Sequence, residues 1–165
     1  MRSRTKVWKY KLSGYTLIEI LVGLTIIGLL FGIGYVNFRD FSRRQAIAGA
    51  GKLIQGDLRI AQQLALVGQK PDQSCILTGY NFDVDSAARS YSIYALCETG
   101  PATEVTKTVT LPPGIQIAAP SPNPILFKVL GTGTNLTSGT ADIVLTQDLT
   151  ANQYTVTVGS GGEIR

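Results

Sequence analysis

The stretch from Tyr15 to Val36, YTLIEILVGLTIIGLLFGIGYV, decides how this chain is organised. It carries a single charged residue, Glu19. As an α-helix rising about 1.5 Å per residue it would measure roughly 33 Å, which matches the roughly 30 Å hydrocarbon core of a bilayer. The pattern therefore predicts a helix over residues 15–36 that spans a membrane.

A basic leader precedes this stretch. Residues 1–14 contain five Lys and Arg residues and no acid, whereas the rest of the chain holds 10 basic and 11 acidic residues. Because positive charge marks the cytoplasmic flank of a span, this asymmetry predicts a cytoplasmic N-terminus and a domain outside the cytoplasm. The net charge of +4 belongs to the leader, so the folded part is not a basic nucleic-acid-binding domain.

The composition excludes several classes of function. The 165 residues include no His and two Cys, so neither a His-based triad nor a four-ligand zinc site can form. The sequence predicts no metal and no cofactor. We find no nucleophile elbow, paired-carboxylate motif or phosphate loop, and therefore predict a protein that is not an enzyme.

Two ordinary explanations of the N-terminus fit less well. A cleavable secretory signal has an apolar run of about 7–15 residues, which is shorter than the run here. The nearest small-residue cleavage pattern, Ala46-Ile47-Ala48, also follows four charged residues. An uncleaved signal anchor stays open, but it leaves Glu19 unexplained, because a carboxylate in the bilayer costs about 2–3 kcal/mol.

The segment Gly14-Tyr15-Thr16-Leu17-Ile18-Glu19 resembles the processing motif of type IV prepilins and pseudopilins. In that family Gly is usually followed by Phe and then by Thr-Leu-Ile-Glu, and here the aromatic residue is Tyr15. The resemblance implies that a prepilin peptidase cuts between Gly14 and Tyr15 and then methylates the Tyr15 amine. It also implies that Thr16 and Glu19 act in assembly with other pilin-like subunits and a platform membrane protein.

Glu19 has two physical roles that the sequence leaves open. After cleavage, the Tyr15 amine and the Glu19 carboxylate would both lie in apolar surroundings, where charges need partners. In the family, the Glu of an incoming subunit is thought to meet the terminal amine of a subunit already in the filament. Alternatively, Glu19 complements the N-terminus of its own helix, an effect of about 0.3–1 kcal/mol.

The helix is expected to continue as an amphipathic stem over residues 37–67. Apolar residues recur there at steps of three and four, which predicts one face that covers a sheet; they are Ile47, Ala50, Ile54, Leu58, Ala61 and Ala65. Leu53, Ile60 and Leu64 are expected to broaden this face. Gly68 and Pro71 mark the end of the helix.

Residues 75–165 read as a β-rich globular head. A hairpin centred on Ser86 would place Cys75 opposite Cys97, which predicts a disulfide in the oxidising compartment outside the cytoplasm. Two separate buried thiols are the alternative. The predicted strands are Cys75–Val84, Arg89–Cys97, Val105–Leu111, Ile115–Ala119, Ile125–Leu130, Ala141–Thr146 and Tyr154–Val158.

The head also resembles the minor pseudopilin domain of the GspH/FimT group. The matching stretches are GYNFD (79–83), SYSIYA (90–95), VTLPPGI (109–115), ILF (125–127) and GEIR (162–165). The resemblance implies an α+β pilin fold in which a long N-terminal helix, with its first half in the membrane, packs on an antiparallel β-sheet head.

The function that this resemblance implies is structural. We expect a minor pilin or pseudopilin of a type IV pilus or of a related type II secretion or competence filament. It would be anchored in the cytoplasmic membrane with its head outside and would join an extracytoplasmic filament. Some competence pseudopilins of the group bind DNA through a basic C-terminal tail, and here only Arg165 stands there, beside Glu163. A DNA-binding competence pseudopilin is therefore the alternative.

Overall fold

A computed structural model describes residues 14–165, without the side chains of residues 33–37 and 103–104. The predicted basic leader, apart from Gly14, lies outside the described residues. The chain divides into two compact units between Asp40 and Phe41.

Residues Leu17–Val67 form one continuous α-helix, α1. It ends at Val67 because Gly68 takes a left-handed conformation with φ of 69°. The Gly68 and Gln69 amides then donate to the carbonyls of Ala65 and Leu64, at 3.2 and 3.1 Å. These two bonds satisfy carbonyls that the helix end would leave without a donor. The predicted end of the helix is confirmed.

The membrane-spanning part of the prediction is not confirmed. Within residues 14–165, α1 is not long and apolar enough to cross a membrane. Residues 17–36 of the predicted span form the first part of α1.

The C-terminal part of α1 is amphipathic, as the spacing predicts. All six residues of the expected stripe, from Ile47 to Ala65, are buried. Leu64 packs against the same core. Leu53 and Ile60 do not broaden the buried face, because they are 44% and 42% exposed.

Within residues 14–165, seven antiparallel strands form two sheets, where the sequence predicted one. The first sheet has the order β3-β2-β1-β5 and the second the order β4-β6-β7. The strands are β1 (Leu77–Asp85), β2 (Ser90–Cys97), β3 (Gly100–Thr110), β4 (Ile115–Ala118), β5 (Ile125–Lys128), β6 (Thr140–Gln147) and β7 (Gln153–Gly159). A 3-10 turn over Val129–Gly131 follows β5, and its Leu130 has a positive φ of 57°. It takes the place of the end of the predicted Ile125–Leu130 strand.

The stem and both sheets share one hydrophobic core. Alternate residues of the strands face it, for example Tyr91, Ile93 and Ala95 in β2 and Ala141, Ile143 and Leu145 in β6. The same core contains the buried stripe of α1. This arrangement of one helix on antiparallel sheets confirms the expected α+β class.

Cys75 and Cys97 form a disulfide, with their Cα atoms 5.4 Å apart. The register differs from the expected one, because Asp85 pairs with Ser90 and places the turn one to two residues later. A bulge between Leu77 and Gly79 then brings Leu77 opposite Cys97. Cys75 lies just before the paired residues, so it reaches Cys97 from the end of the hairpin.

Candidate functional site

The processing motif forms the start of α1. Gly14, Tyr15 and Thr16 precede the helix, and the Tyr15 side chain is 78% exposed. The Glu19 amide donates to the Thr16 hydroxyl at 3.3 Å, and the Ile20 amide donates to the Thr16 carbonyl at 3.2 Å. Thr16 is therefore the N-cap residue, which satisfies amides that the first turn leaves free. The cap fixes the helix start two residues after the predicted cleavage point.

Glu19 lies in the first turn of α1, three residues after Thr16. A Thr followed three residues later by Glu is the pattern of a capping box. The Glu19 side chain is exposed, so it can complement the partial positive charge of the helix N-terminus and still be reached by a second charged group. The geometry is compatible with both roles that the sequence left open.

The surface behind this cap is apolar on all sides. Eleven large apolar side chains between Leu17 and Phe31 are 46–84% exposed; they are Leu17, Ile18, Ile20, Leu21, Val22, Leu24, Ile26, Ile27, Leu29, Leu30 and Phe31. The Thr25 hydroxyl donates to the Val22 carbonyl at 2.8 Å, so it is satisfied within the helix. An apolar helix of this kind belongs in an apolar environment or in a helix bundle.

Glycines open this surface for close approach. A Cβ atom added at Gly23, Gly28 or Gly32 would meet no other atom within 4 Å. Gly28 and Gly32 are four residues apart and thus lie on one face of the helix, the small-xxx-small spacing that lets two helix backbones come near each other. Apolar surface and small residues together suit packing against other helices.

The structure also contains a buried charged cluster that the sequence analysis missed. Asp57 lies within the buried side of α1 and is 2% exposed. Its carboxylate accepts from the Tyr91 hydroxyl of β2 at 2.7 Å and pairs with the Lys107 Nζ atom of β3 at 2.6 Å. The sequence contained one signal for this cluster: Asp57 lies three residues after Ile54 and four before Ala61. That spacing places the acid on the same helix face as the apolar stripe, which is buried.

This cluster ties the stem to the first sheet. Burial raises the pKa of the Tyr91 phenol far above its ordinary value, and the hydrogen bond and the charge of Asp57 add to that shift. Tyr91 therefore stays protonated and keeps its donor directed at Asp57. A buried carboxylate with two partners fixes the position of the helix on the sheet rather than supplying a reactive group.

A turn at Asp72, just before the disulfide, is held by hydrogen bonds to the Asp72 side chain. The Asp72 carboxylate accepts from the backbone amides of Ser74 and Cys75, at 2.7 and 3.0 Å. The Ser74 hydroxyl and these amides lower the pKa of Asp72. The turn holds Cys75 in position beside the end of the hairpin.

Of the predicted site residues, the structure brings two groups together. Gly14, Tyr15, Thr16 and Glu19 form one continuous segment at the helix start, and Cys75 and Cys97 are joined. Among residues 14–165, there is no cluster of three His, Cys, Asp or Glu side chains that could hold a metal ion.

Comparisons with known proteins support two separate features. Residues 11–35 match the family described as the prokaryotic N-terminal methylation motif. A search of curated protein sequences finds no match. Among solved structures, the chain is similar to the minor pseudopilin EpsH from the type 2 secretion system of Vibrio cholerae. The TM-score is 0.53 at 14% identity, over 73% of this chain and 94% of that one.

The two findings concern different parts of the molecule. The motif match covers the helix start and the apolar segment behind it, where the sequence resembles type IV prepilins. The structural similarity, at this level of identity, shows the fold, which is that of a minor pseudopilin. The chain thus combines a pilin-like processing motif with a pseudopilin-like fold.

Proposed function

We propose that this protein is a minor pilin or pseudopilin, a structural subunit of a type IV pilus or of a related type II secretion or competence filament. One observation carries the proposal: a prepilin-type motif lies directly before a helix whose apolar side chains are exposed on every side. A structural rather than catalytic role follows, because this helix offers binding surface and no reacting group.

Processing is the first step of the proposed function. A prepilin peptidase would cut between Gly14 and Tyr15 and methylate the new amine of Tyr15. Gly14 and Tyr15 precede the helix, and Gly14 has no neighbouring atom where a Cβ would stand, so the peptide bond lies in an accessible segment. A glycine lets an extended backbone enter a narrow protease cleft without a side-chain clash.

Assembly is the second step. The exposed apolar side chains of residues 17–31 need apolar surroundings, and close packing against the helices of neighbouring subunits supplies them in a filament. Within the resulting apolar core, the Glu19 carboxylate and the Tyr15 amine of a neighbouring subunit would neutralise each other. Their pairing would set the axial register of the subunits.

The proposed partners and location follow from these steps. The partners are the prepilin peptidase, other pilin-like subunits and a platform protein of the assembly machine in the cytoplasmic membrane. The head would lie on the outer side of that membrane. The disulfide between Cys75 and Cys97 supports this location, because such bonds persist in oxidising compartments.

The DNA-binding alternative receives no support from the C-terminus. A basic tail that captures DNA needs to extend from the head. Here the Arg165 amide donates to the Thr157 carbonyl at 3.0 Å, and the Thr157 amide donates to the Arg165 carbonyl at 3.1 Å. Arg165 is therefore paired with Thr157 of β7 rather than extended from the head, and we keep the structural role.

The experiment that tests this function is intact-mass analysis of the chain from a host with an active prepilin peptidase. We expect a protein that begins at N-methylated Tyr15. Gly14→Val should retain the leader, because a branched side chain hinders entry into the cleft. Gly23→Val, a matched change within the helix, should be processed normally. A wild-type chain that keeps residues 1–14 would contradict the proposal.

A further inference from the structure

The stem carries a second stripe on the side away from its core. The exposed residues recur at alternating steps of three and four, which is a heptad pattern of a and d positions. They are Ala46, Gly49, Leu53, Gly56, Ile60, Gln63 and Val67, and all seven are exposed. We call these seven residues the outer seam.

The outer seam has the shape of a helix-packing surface. Leu53, Ile60 and Val67 are 44%, 42% and 79% exposed and occupy equivalent heptad positions. A Cβ atom at Gly49 or Gly56 would meet no atom within 4 Å, so the surface is open at both glycines. Large side chains alternating with small ones form the knobs and holes that a second helix fills.

Charge on the flank of the seam selects the partner. Lys52 and Arg59 lie seven residues apart, each one position before a seam residue, Leu53 or Ile60. Both side chains are exposed, and neither makes an ion pair with another residue of the described chain. In helix pairs, flanking positions of this kind choose partners of opposite charge.

A second copy of this chain does not provide that charge. Between residues 46 and 67 the only acid is Asp57, which is buried and bonded to Tyr91 and Lys107. Two copies packed seam to seam would therefore bring cations together, which disfavours the pair. The seam fits a different helix better than its own.

We propose that the outer seam binds the helical stem of a different pilin-like subunit, one that carries carboxylates beside its own apolar stripe. This inference rests on the proposed function and names the class of neighbour that the subunit takes in the filament. The contact lies on the stem, so it is separate from the packing of residues 17–31.

A photo-crosslinking experiment in the native host tests the seam with the full chain. The photoreactive amino acid p-benzoylphenylalanine replaces Gln63 in the seam or, as a matched control, Gln116, an exposed residue of β4. Position 63 should give an adduct that maps to the helix of another pilin-like subunit, next to Asp or Glu residues. Position 116 should not give that adduct.

Charge reversal makes the test specific. Lys52→Glu with Arg59→Glu should reduce the position-63 adduct by about tenfold, since two attractive pairs become repulsive. Arg89→Glu, which reverses an exposed cation in the turn between β1 and β2, should leave it unchanged. Replacing the flanking acids of the captured helix by Lys should restore the adduct of the reversed variant.

Intact-mass analysis of the same samples separates the two proposals. A processed chain that gives no adduct from position 63 would overturn the seam and leave the proposed function standing. An adduct to a second copy of this chain or to a β-sheet head, or an adduct unaffected by charge reversal, would do the same. A chain that retains its leader would overturn both proposals.

Discussion

The two parts of α1 place their apolar side chains in opposite ways. Between Leu17 and Phe31 the large apolar side chains point in every direction and are exposed. Between Ile47 and Ala65 the apolar residues form one stripe, and that stripe is buried in the head. The two parts differ in spacing and in composition. Leu, Ile and Gly occur in both, but residues 47–65 also contain six charged or amide side chains, whereas the only polar side chains of residues 17–31 are those of Glu19 and Thr25.

This comparison separates what the chain stabilises by itself from what it leaves to partners. A stripe at steps of three and four gives a helix one face for a core and another for solvent. A helix that is apolar all round has no solvent face and is stable only when it is surrounded. The stem therefore belongs to the folded head, and residues 17–31 belong to an assembly.

The largest expected effect contrasts one leucine in each part. Leu58→Ala should lower the free energy of unfolding by about 2–5 kcal/mol, because it leaves a cavity at a fully buried position. Leu24→Ala should change it by less than about 0.5 kcal/mol, since Leu24 is exposed, but should reduce incorporation into filaments. Chemical denaturation of the processed chain in mild detergent measures both. Equal losses would erase the distinction between the two parts.

The buried charged cluster tests whether the stem is fixed by its own head. Lys107→Met should destabilise the protein by about 3 kcal/mol, because it leaves the buried Asp57 carboxylate without its cation. Lys52→Met, which removes an exposed cation of α1, should change the free energy of unfolding by no more than about 0.5 kcal/mol. The measurement is again chemical denaturation. A harmless Lys107→Met would mean that the cluster does not hold the stem.

Two glycines of the stem sharpen the comparison between its faces. A Cβ at Gly51 would collide with the Tyr154 ring, so Gly51→Ala should cost about 1–3 kcal/mol. Gly56 faces open space, and Gly56→Ala should stabilise the isolated protein by about 0.5–1 kcal/mol through helix propensity. Thermal unfolding of the two variants shows whether each change in stability is positive or negative. The same sign for both would contradict the assignment of inner and outer faces.

The smallest effect concerns alkaline pH and is confined to the head. Burial raises the pKa of Tyr80, Tyr91 and Tyr94 above the ordinary 10.0. Above pH 10 the unfolded chain therefore loses protons before the folded one, so stability present below pH 10 declines as the pH rises. Tyr91→Phe should make the free energy of unfolding fall less steeply with pH, as measured by denaturation at several pH values. An unchanged pH dependence would contradict the role of Tyr91.

Much of the fold could be predicted from local pattern. The end of α1 at Val67, the buried stripe from Ile47 to Ala65 and the positions of the strands follow from spacing and from Gly and Pro signals. The residue-by-residue pairing of neighbouring strands could not be predicted from these local signals. The turn between β1 and β2 lies one to two residues later than expected, and a bulge near Leu77 compensates, so the disulfide forms through another register.

The charged cluster could not be predicted because it joins distant parts of the chain. Tyr91 and Lys107 follow Asp57 in the sequence by 34 and 50 residues. The sequence gives no register for β2 and β3 relative to the stem, and this register decides which side chains meet. By contrast, Gly14, Tyr15, Thr16 and Glu19 lie within six consecutive residues, so their resemblance to the prepilin motif could be recognised from the sequence.

The most direct test of the central claim is the incorporation of a Glu19→Gln subunit into filaments. The fraction of processed protein found in sheared filaments is compared with that of Asp142→Asn, which removes an exposed carboxylate from β6. Glu19→Gln should be processed normally yet fall by about tenfold or more in the filament fraction, since breaking a buried charge pair costs about 3–5 kcal/mol. Incorporation of Glu19→Gln at the wild-type level would contradict the account.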